Sequence, residues 1–161
     1  MRLKILSGGQ TGVDQAALRA ARAVGFETGG WARLGWETED GPAPWLADFG
    51  LVECPEPGYI ACRRKNVQEA DTMLLLGDLK SPRLIGVMRE WARLRSQVAY
   101  LTVTPGGSPP RSVADFLLLA RRDGRPIETV LVAGNRESIF LGIGQRAESF
   151  LTKVFRQLAS A

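Results

Sequence analysis

Two short segments bring together residue types suited to holding an anion. The first reads Ser7-Gly8-Gly9-Gln10-Thr11-Gly12-Val13-Asp14. Its three glycines let the backbone turn tightly and approach a ligand closely, and the N–H groups at the start of a following helix favour negative charge. Ser7 and Thr11 add hydroxyls, and Gln10 a side-chain amide. No Lys-Ser/Thr follows the last glycine and the spacing is not GxGxxG, so this is neither a Walker A loop nor a dinucleotide fingerprint. The plainer alternative is a tight strand-to-helix turn capped by Thr11 or Asp14. The second segment is Gly134-Asn135-Arg136-Glu137-Ser138. Asn135 and Ser138 can hydrogen-bond, and Arg136 can grip a phosphate or carboxylate with two parallel bonds. Its alternative is a helix-capping turn with Arg136 in water.

Further candidates lie between them. Arg63-Arg64-Lys65-Asn66 falls early in a predicted helix, where Arg63 or Arg64 could reach a ligand crevice and Asn66 lies about a turn deeper; a solvated basic face is the alternative. Residues 31–57 show no clear period and form a long loop, of the kind that is functional or disordered. Trp31, Trp36 and Trp45 argue against disorder. They either stack on a bound ring or anchor the loop to the core. Glu39-Asp40-Gly41 could hydrogen-bond the N–H groups of a heterocycle, or form a charged turn.

The elements that must position these residues follow from the apolar pattern. Residues 3–7, 72–76, 98–103 and 129–133 are short apolar runs that read as buried strands, and a further strand near residues 26–30 fits. Helical patterns span, approximately, residues 13–24, 58–69, 82–95, 111–121 and 142–158. Short apolar strands alternating with helices predict a three-layer α/β fold with a mainly parallel sheet of about five strands in one domain, residues 1–161. Uniform crossover handedness then brings every strand's C-terminal end to one edge of the sheet, where open α/β sheets bind ligands. Glycine, at 18 of 161 residues against a usual ~7%, clusters after those strands.

Composition prunes the chemistry. The chain has no His, which removes Ser-His-Asp and Cys-His catalysis and His-ligated metal. Cys54 and Cys62 are too few for a four-cysteine zinc site and are not spaced CxxC, so no protein-bound metal is expected. The net charge is +4 and seventeen of the 21 basic residues are Arg; this permits an anionic partner without requiring one. Leu, Ile, Val and Phe together exceed the roughly 20% floor below which chains disorder. No run approaches the ~18 apolar residues that span a bilayer and no signal peptide is evident, so the expected location is cytoplasmic, with no membrane partner.

Taken together, LSGGQTGVD at residues 6–14, GGW at 29–31, EDG at 39–41, NVxxAD at 66–71 and AGNRES at 133–138 resemble the molybdenum cofactor carrier family. These are Rossmann-like proteins related to the lonely-guy phosphoribohydrolases. The resemblance runs along nearly the whole chain. It implies a homo-oligomer that binds the phosphate-bearing pterin of molybdenum cofactor as cargo, without catalysis. The phosphate would sit at Ser7, Gly8, Gly9, Gln10, Thr11 and Gly12 together with Gly134, Asn135, Arg136 and Ser138, and Trp31, Glu39 and Asp40 would flank the ring. The phosphoribohydrolase relatives suggest a rival. Gly86-Val87-Met88-Arg89-Glu90 keeps the Gly-to-Glu spacing of their PGGxGTxxE motif, which would make Glu90 and Arg63 or Arg64 catalytic toward a nucleoside 5'-monophosphate. A third reading is a nucleotide-sensing or nucleic-acid-binding module. Nucleic acid is not expected, because the basic turn at residues 121–125 lacks neighbouring aromatics for stacking.

Overall fold

The computed structural model describes residues 2–95 and 99–161. Six strands form one sheet: β1 (Lys4–Leu6), β2 (Glu27–Ala32), β3 (Leu51–Glu53), β4 (Thr72–Leu76), β5 (Leu101–Val103) and β6 (Thr129–Gly134). Their spatial order is β3-β2-β1-β6-β4-β5, and every neighbouring pair is parallel. Five helices connect or follow them: α1 (Val13–Val24), α2 (Tyr59–Glu69), α3 (Pro82–Arg95), α4 (Pro110–Leu119) and α5 (Ile143–Ala159). The three-layer α/β expectation holds, with six strands where about five were expected. The additional strand is β3, three residues inside the segment without a clear period. Val98, the first residue of the expected third apolar run, lies outside the described residues; the strand there begins at Leu101.

The apolar runs are continuous because both sheet faces are covered. Side chains alternate along a strand, so Leu74 and Leu76 of β4 join one core with α1, α4 and α5. Met73 and Leu75 join the other with Leu84, Val87 and Trp91 of α3, Val67 of α2 and Ala70 just after it. Crossovers from β1 to β2 and from β5 to β6 move one way across the sheet, with α1 and α4 on the first face. Those from β3 to β4 and from β4 to β5 move the other way, with α2 and α3 on the second, as a uniform crossover hand requires. A third cluster, Leu18, Ala32, Ala43, Leu46 and Leu51 with Trp36 packed against it, anchors the long loop at the β3 edge.

Two glycines fix how the edge loops meet. Gly12 has φ +76°, and a Cβ there would lie 2.3 Å from the Asn135 carbonyl oxygen, so the loops after β1 and β6 touch through bare backbone. Gly134 closes β6 against β4 and α1, where a Cβ would come within 2.4 Å of the Leu76 carbonyl oxygen and of Val13 Cγ2. Gly134→Ala must therefore push backbone apart. Overpacking of this kind is expected to destabilise the fold by about 2–3 kcal/mol. For a chain of this size the melting temperature would fall by roughly 5–10 °C; an unchanged thermal transition would contradict the packing described.

Candidate functional site

The loop after β1 is held by its own polar groups. The Ser7 hydroxyl donates to the Asp14 carbonyl (2.9 Å) and accepts from Gly9 N–H (3.1 Å). Gln10 N–H donates to Asp14 Oδ2 (3.2 Å), and Thr11 N–H to the Gln10 side-chain oxygen (3.0 Å). Val13 N–H at the head of α1 donates to the Asn135 carbonyl (3.2 Å). Several N–H groups expected to face an anion are thus used within the protein. Asn135 is a buried clamp as well: it accepts from Asp78 N–H (2.6 Å) and donates to Ser81 Oγ (3.0 Å), tying the loop after β6 to the loop after β4.

Asp14 is the hub. It is 1% exposed, and its Oδ2 accepts from Arg83 Nη2 at 2.7 Å. Arg83 Nε also donates to the Gly134 carbonyl at 3.0 Å, so one ion pair joins the first loop, α3 and the end of β6. The other carboxylate oxygen, Oδ1, is buried with no hydrogen-bond partner. Burial pushes the Asp14 pKa above its usual value, opposed by the Arg83 charge and by Gln10 N–H.

Beside this pair, on the α2–α3 side of the sheet, lies a cavity of about 50 Å³. Gly8, Gln10 and Asn66 form part of its wall, and Arg33, Glu37, Tyr59, Arg63 and Arg83 supply its polar lining. Each acid in the lining is matched: Glu37 pairs with Arg33 at 2.9 Å, and Asp14 with Arg83. Arg63 is the lining cation that makes no hydrogen bond or ion pair among the described residues. Its guanidinium lies against α3 where residue 86 is glycine; a Cβ there would be 2.4 Å from Arg63 Nη1. Burial and the neighbouring Arg83 charge push its pKa down, but a guanidinium remains charged in such surroundings. Among the described residues the cavity therefore keeps a guanidinium with no direct partner, on which the Glu90 charge acts from outside the lining. Tyr59 is its aromatic element: the Arg33 guanidinium carbon stands 3.9 Å over the ring centroid, and Arg136 donates to the Tyr59 hydroxyl at 2.9 Å. Cys62, also on the wall, donates its thiol to the Trp31 carbonyl (2.7 Å), and burial pushes its pKa up to about 12. It is a protonated structural thiol at neutral pH.

The remaining sequence candidates divide. Asn66, already on the wall, fastens α2 to β2 by accepting from Trp31 N–H (2.8 Å) and donating to the Trp31 carbonyl (3.0 Å). The Trp31 side chain stands away from the cavity lining: its indole N–H donates to Glu69 (2.7 Å) and Lys65 Nζ sits 4.7 Å from the ring centroid. Asp40 is exposed at a turn. Glu39 lies at the meeting of the two glycine loops, where its carboxylate accepts from the Thr11 hydroxyl and from the Ser138 hydroxyl and N–H. Arg136 Nε is 4.0 Å away. Burial pushes the Glu39 pKa up, but these donors outweigh it and leave the group below its ordinary value. Glu90 is clamped by Arg64 (3.0 Å) and Arg93 (2.6 Å). Burial raises it, these partners prevail, and it too lies below the usual carboxylate range. Arg33, Tyr59 and Arg83 carry no signal in the sequence that sets them apart, the arginines sitting among many others. Among the described residues no group of His, Cys, Asp and Glu could hold a metal ion, and no helix is long and apolar enough to cross a membrane.

Arg83→Met would leave Asp14 buried and uncompensated. The expected cost at pH 7 is about 3–5 kcal/mol. The folded-state pKa of Asp14 lies above its unfolded value, so the neutral form favours folding at low pH and ionisation opposes it as pH rises through the folded pKa. The variant's deficit should therefore shrink as pH is lowered into the acid range. Urea unfolding at several pH values measures this, and a deficit independent of pH would contradict it.

The sheet order has one further property. Moving the β6–α5 unit ahead of β1 would renumber the sheet 4-3-2-1-5-6, with the first strand central and the chain built outward on both sides. A family model described as the Circularly permutated YpsA SLOG family matches residues 5–155. A crystal structure of a "Putative molybdenum carrier protein" from Syntrophus aciditrophicus SB superposes with a TM-score of 0.79 at 26% identity, covering 96% of this chain and 94% of that one. No curated protein matches. By the extent of the family match, and in keeping with the order of its sheet, the chain belongs to the circularly permutated YpsA family of SLOG proteins.

Proposed function

We propose that the chain binds a small phosphorylated heterocycle, holds it by its phosphate in the Arg63 cavity, and releases it unchanged. The observation that supports this most directly is the unpaired, half-buried guanidinium of Arg63 beside Arg83 in a concave site at the ligand-binding edge of a parallel sheet. A guanidinium matches the geometry of phosphate oxygens, and a partly dry setting strengthens the attraction. In this reading Gly8 and Gln10 are the wall, Ser7, Gly9, Thr11, Gly12, Gly134 and Asn135 hold that wall in place, and Arg136 and Ser138 lie at the rim. The phosphate-bearing pterin of molybdenum cofactor is the ligand we favour, on the motifs of the chain and its likeness to a protein named for molybdenum carriage. A nucleoside monophosphate presents the same group.

The hydrolytic alternative needs Glu90 free to give or take a proton. Its carboxylate is instead engaged by two arginines and does not line the cavity, which favours binding without turnover. Calorimetric titration with a pterin phosphate and with AMP, followed by chromatography for released base, separates the two. Arg63→Ala should weaken binding roughly 10- to 100-fold, the loss of a charge-assisted hydrogen-bonded contact, without lowering the melting temperature of the free protein. Glu90→Ala should bind within about twofold of the parent, because among the described residues Glu90 does not line the cavity and shares no hydrogen bond with the residues that do. Release of base from AMP that disappears in Glu90→Ala would overturn the binding-only reading.

A further inference from the structure

The cavity is too small for the ligand that its charge suits. At about 50 Å³ it has room for a few waters or a single tetrahedral oxyanion, whereas sites for larger organic ligands run to several hundred Å³. A phosphate fits as it stands, but for the attached heterocycle to be enclosed as well, something at the mouth has to move.

Residues 37–42 form a hairpin at that mouth, with Glu37 on the cavity wall. The base of the hairpin is fixed: Ala43 N–H donates to the Trp36 carbonyl at 2.8 Å, and Trp36 and Ala43 belong to the apolar cluster at the sheet edge. Left-handed backbone leads into it at Gly35 (φ +77°) and Trp36 (φ +56°) and recurs at its turn at Gly41 (φ +96°). A bulky residue in that region is strained. The tip is tied to the glycine loops through Glu39. Its N–H donates to the Gln10 side-chain oxygen (2.9 Å), and its carboxylate takes the Thr11 and Ser138 donors.

Two hydroxyls, a backbone N–H and a nearby guanidinium are the donors an oxyanion would take. We propose that Thr11, Ser138 and Arg136 form an oxyanion subsite in which Glu39 stands in for a ligand's phosphoryl group, and that a phosphoryl oxyanion displaces Glu39 and frees the hairpin to lift. The proposal rests on reading the neighbouring cavity as an anion site, because it is a ligand bound there that needs the mouth open. Glu39 is then both a plug and a latch. It keeps the donors satisfied without ligand, and its negative charge competes with any anion for them.

Amide hydrogen exchange on the whole chain, with and without saturating inorganic phosphate, tests this in the parent, Glu39→Gln and Arg63→Ala. Phosphate should speed exchange across residues 37–42 of the parent at least several-fold. Glu39→Gln should show that faster exchange without phosphate and should bind phosphate several-fold more tightly by calorimetry. Phosphate that binds the parent while exchange across 37–42 stays the same or slows would overturn the latch, as would Glu39→Gln binding no more tightly. If Arg63→Ala binds phosphate as well as the parent while Glu39→Gln binds it more tightly, the cavity reading fails, and with it the reason for the hairpin to open, while the oxyanion subsite of Thr11, Ser138 and Arg136 stands. If phosphate binds neither the parent nor Glu39→Gln, both fail.

Discussion

The ion pair between Asp14 and Arg83 is the constraint on which the ligand edge depends. Residues 69 positions apart in the chain meet because β6 is inserted between β1 and β4, which brings the start of α1 and the start of α3 to the same point on the sheet edge. The pair is buried, so it stands only because each partner is further satisfied: the carboxylate by Gln10 N–H, the guanidinium by the Gly134 carbonyl. A buried pair is weak evidence for stability in itself, since the desolvation of two charges offsets much of their attraction. Its effect here is on position. It sets the loop after β1 against α3 and leaves no slack in the wall of the cavity.

The charge distribution around that pair gives the site its character. Asp14 and Glu37 each neutralise one arginine, and the third, Arg63, lies against α3 where residue 86 is glycine. Long flexible arginines on a helix surface normally swing into water. Packing against a glycine instead holds the charge in a preformed place, so less rotamer freedom is lost when an anion arrives.

Much of the fold was legible in the sequence, because buried parallel strands leave continuous apolar runs and glycine marks the turns after them. The helix Val13–Val24 was expected at about the bounds observed. β3 was not, since three residues within a loop rich in Trp, Gly and Pro give no period. The site was legible only in part. Ser7, Gly8, Gln10 and Asn135 do lie at the expected edge, but the sequence could not show that the hydrogen bonds of Ser7, Gln10 and Asn135 are made within the protein. Trp31 was a candidate for ring stacking as one of three tryptophans in the segment without a clear period; the alternation of side chains along β2 turns it onto Lys65 and Glu69 of α2 instead. Arg83 and Tyr59 carry no local signal at all. Their roles exist only through long-range contacts, to Asp14 in one case and to Arg33 and Arg136 in the other.

The central claim is that an anion belongs beside Arg63. Crystals soaked in tungstate, a tetrahedral oxyanion with strong anomalous scattering, would locate that anion whatever the natural ligand is. The account predicts the strongest anomalous peak within hydrogen-bonding reach of the Arg63 guanidinium, in the cavity shared with Arg83. A peak elsewhere on the chain, with nothing beside Arg63 at saturating tungstate, would contradict it.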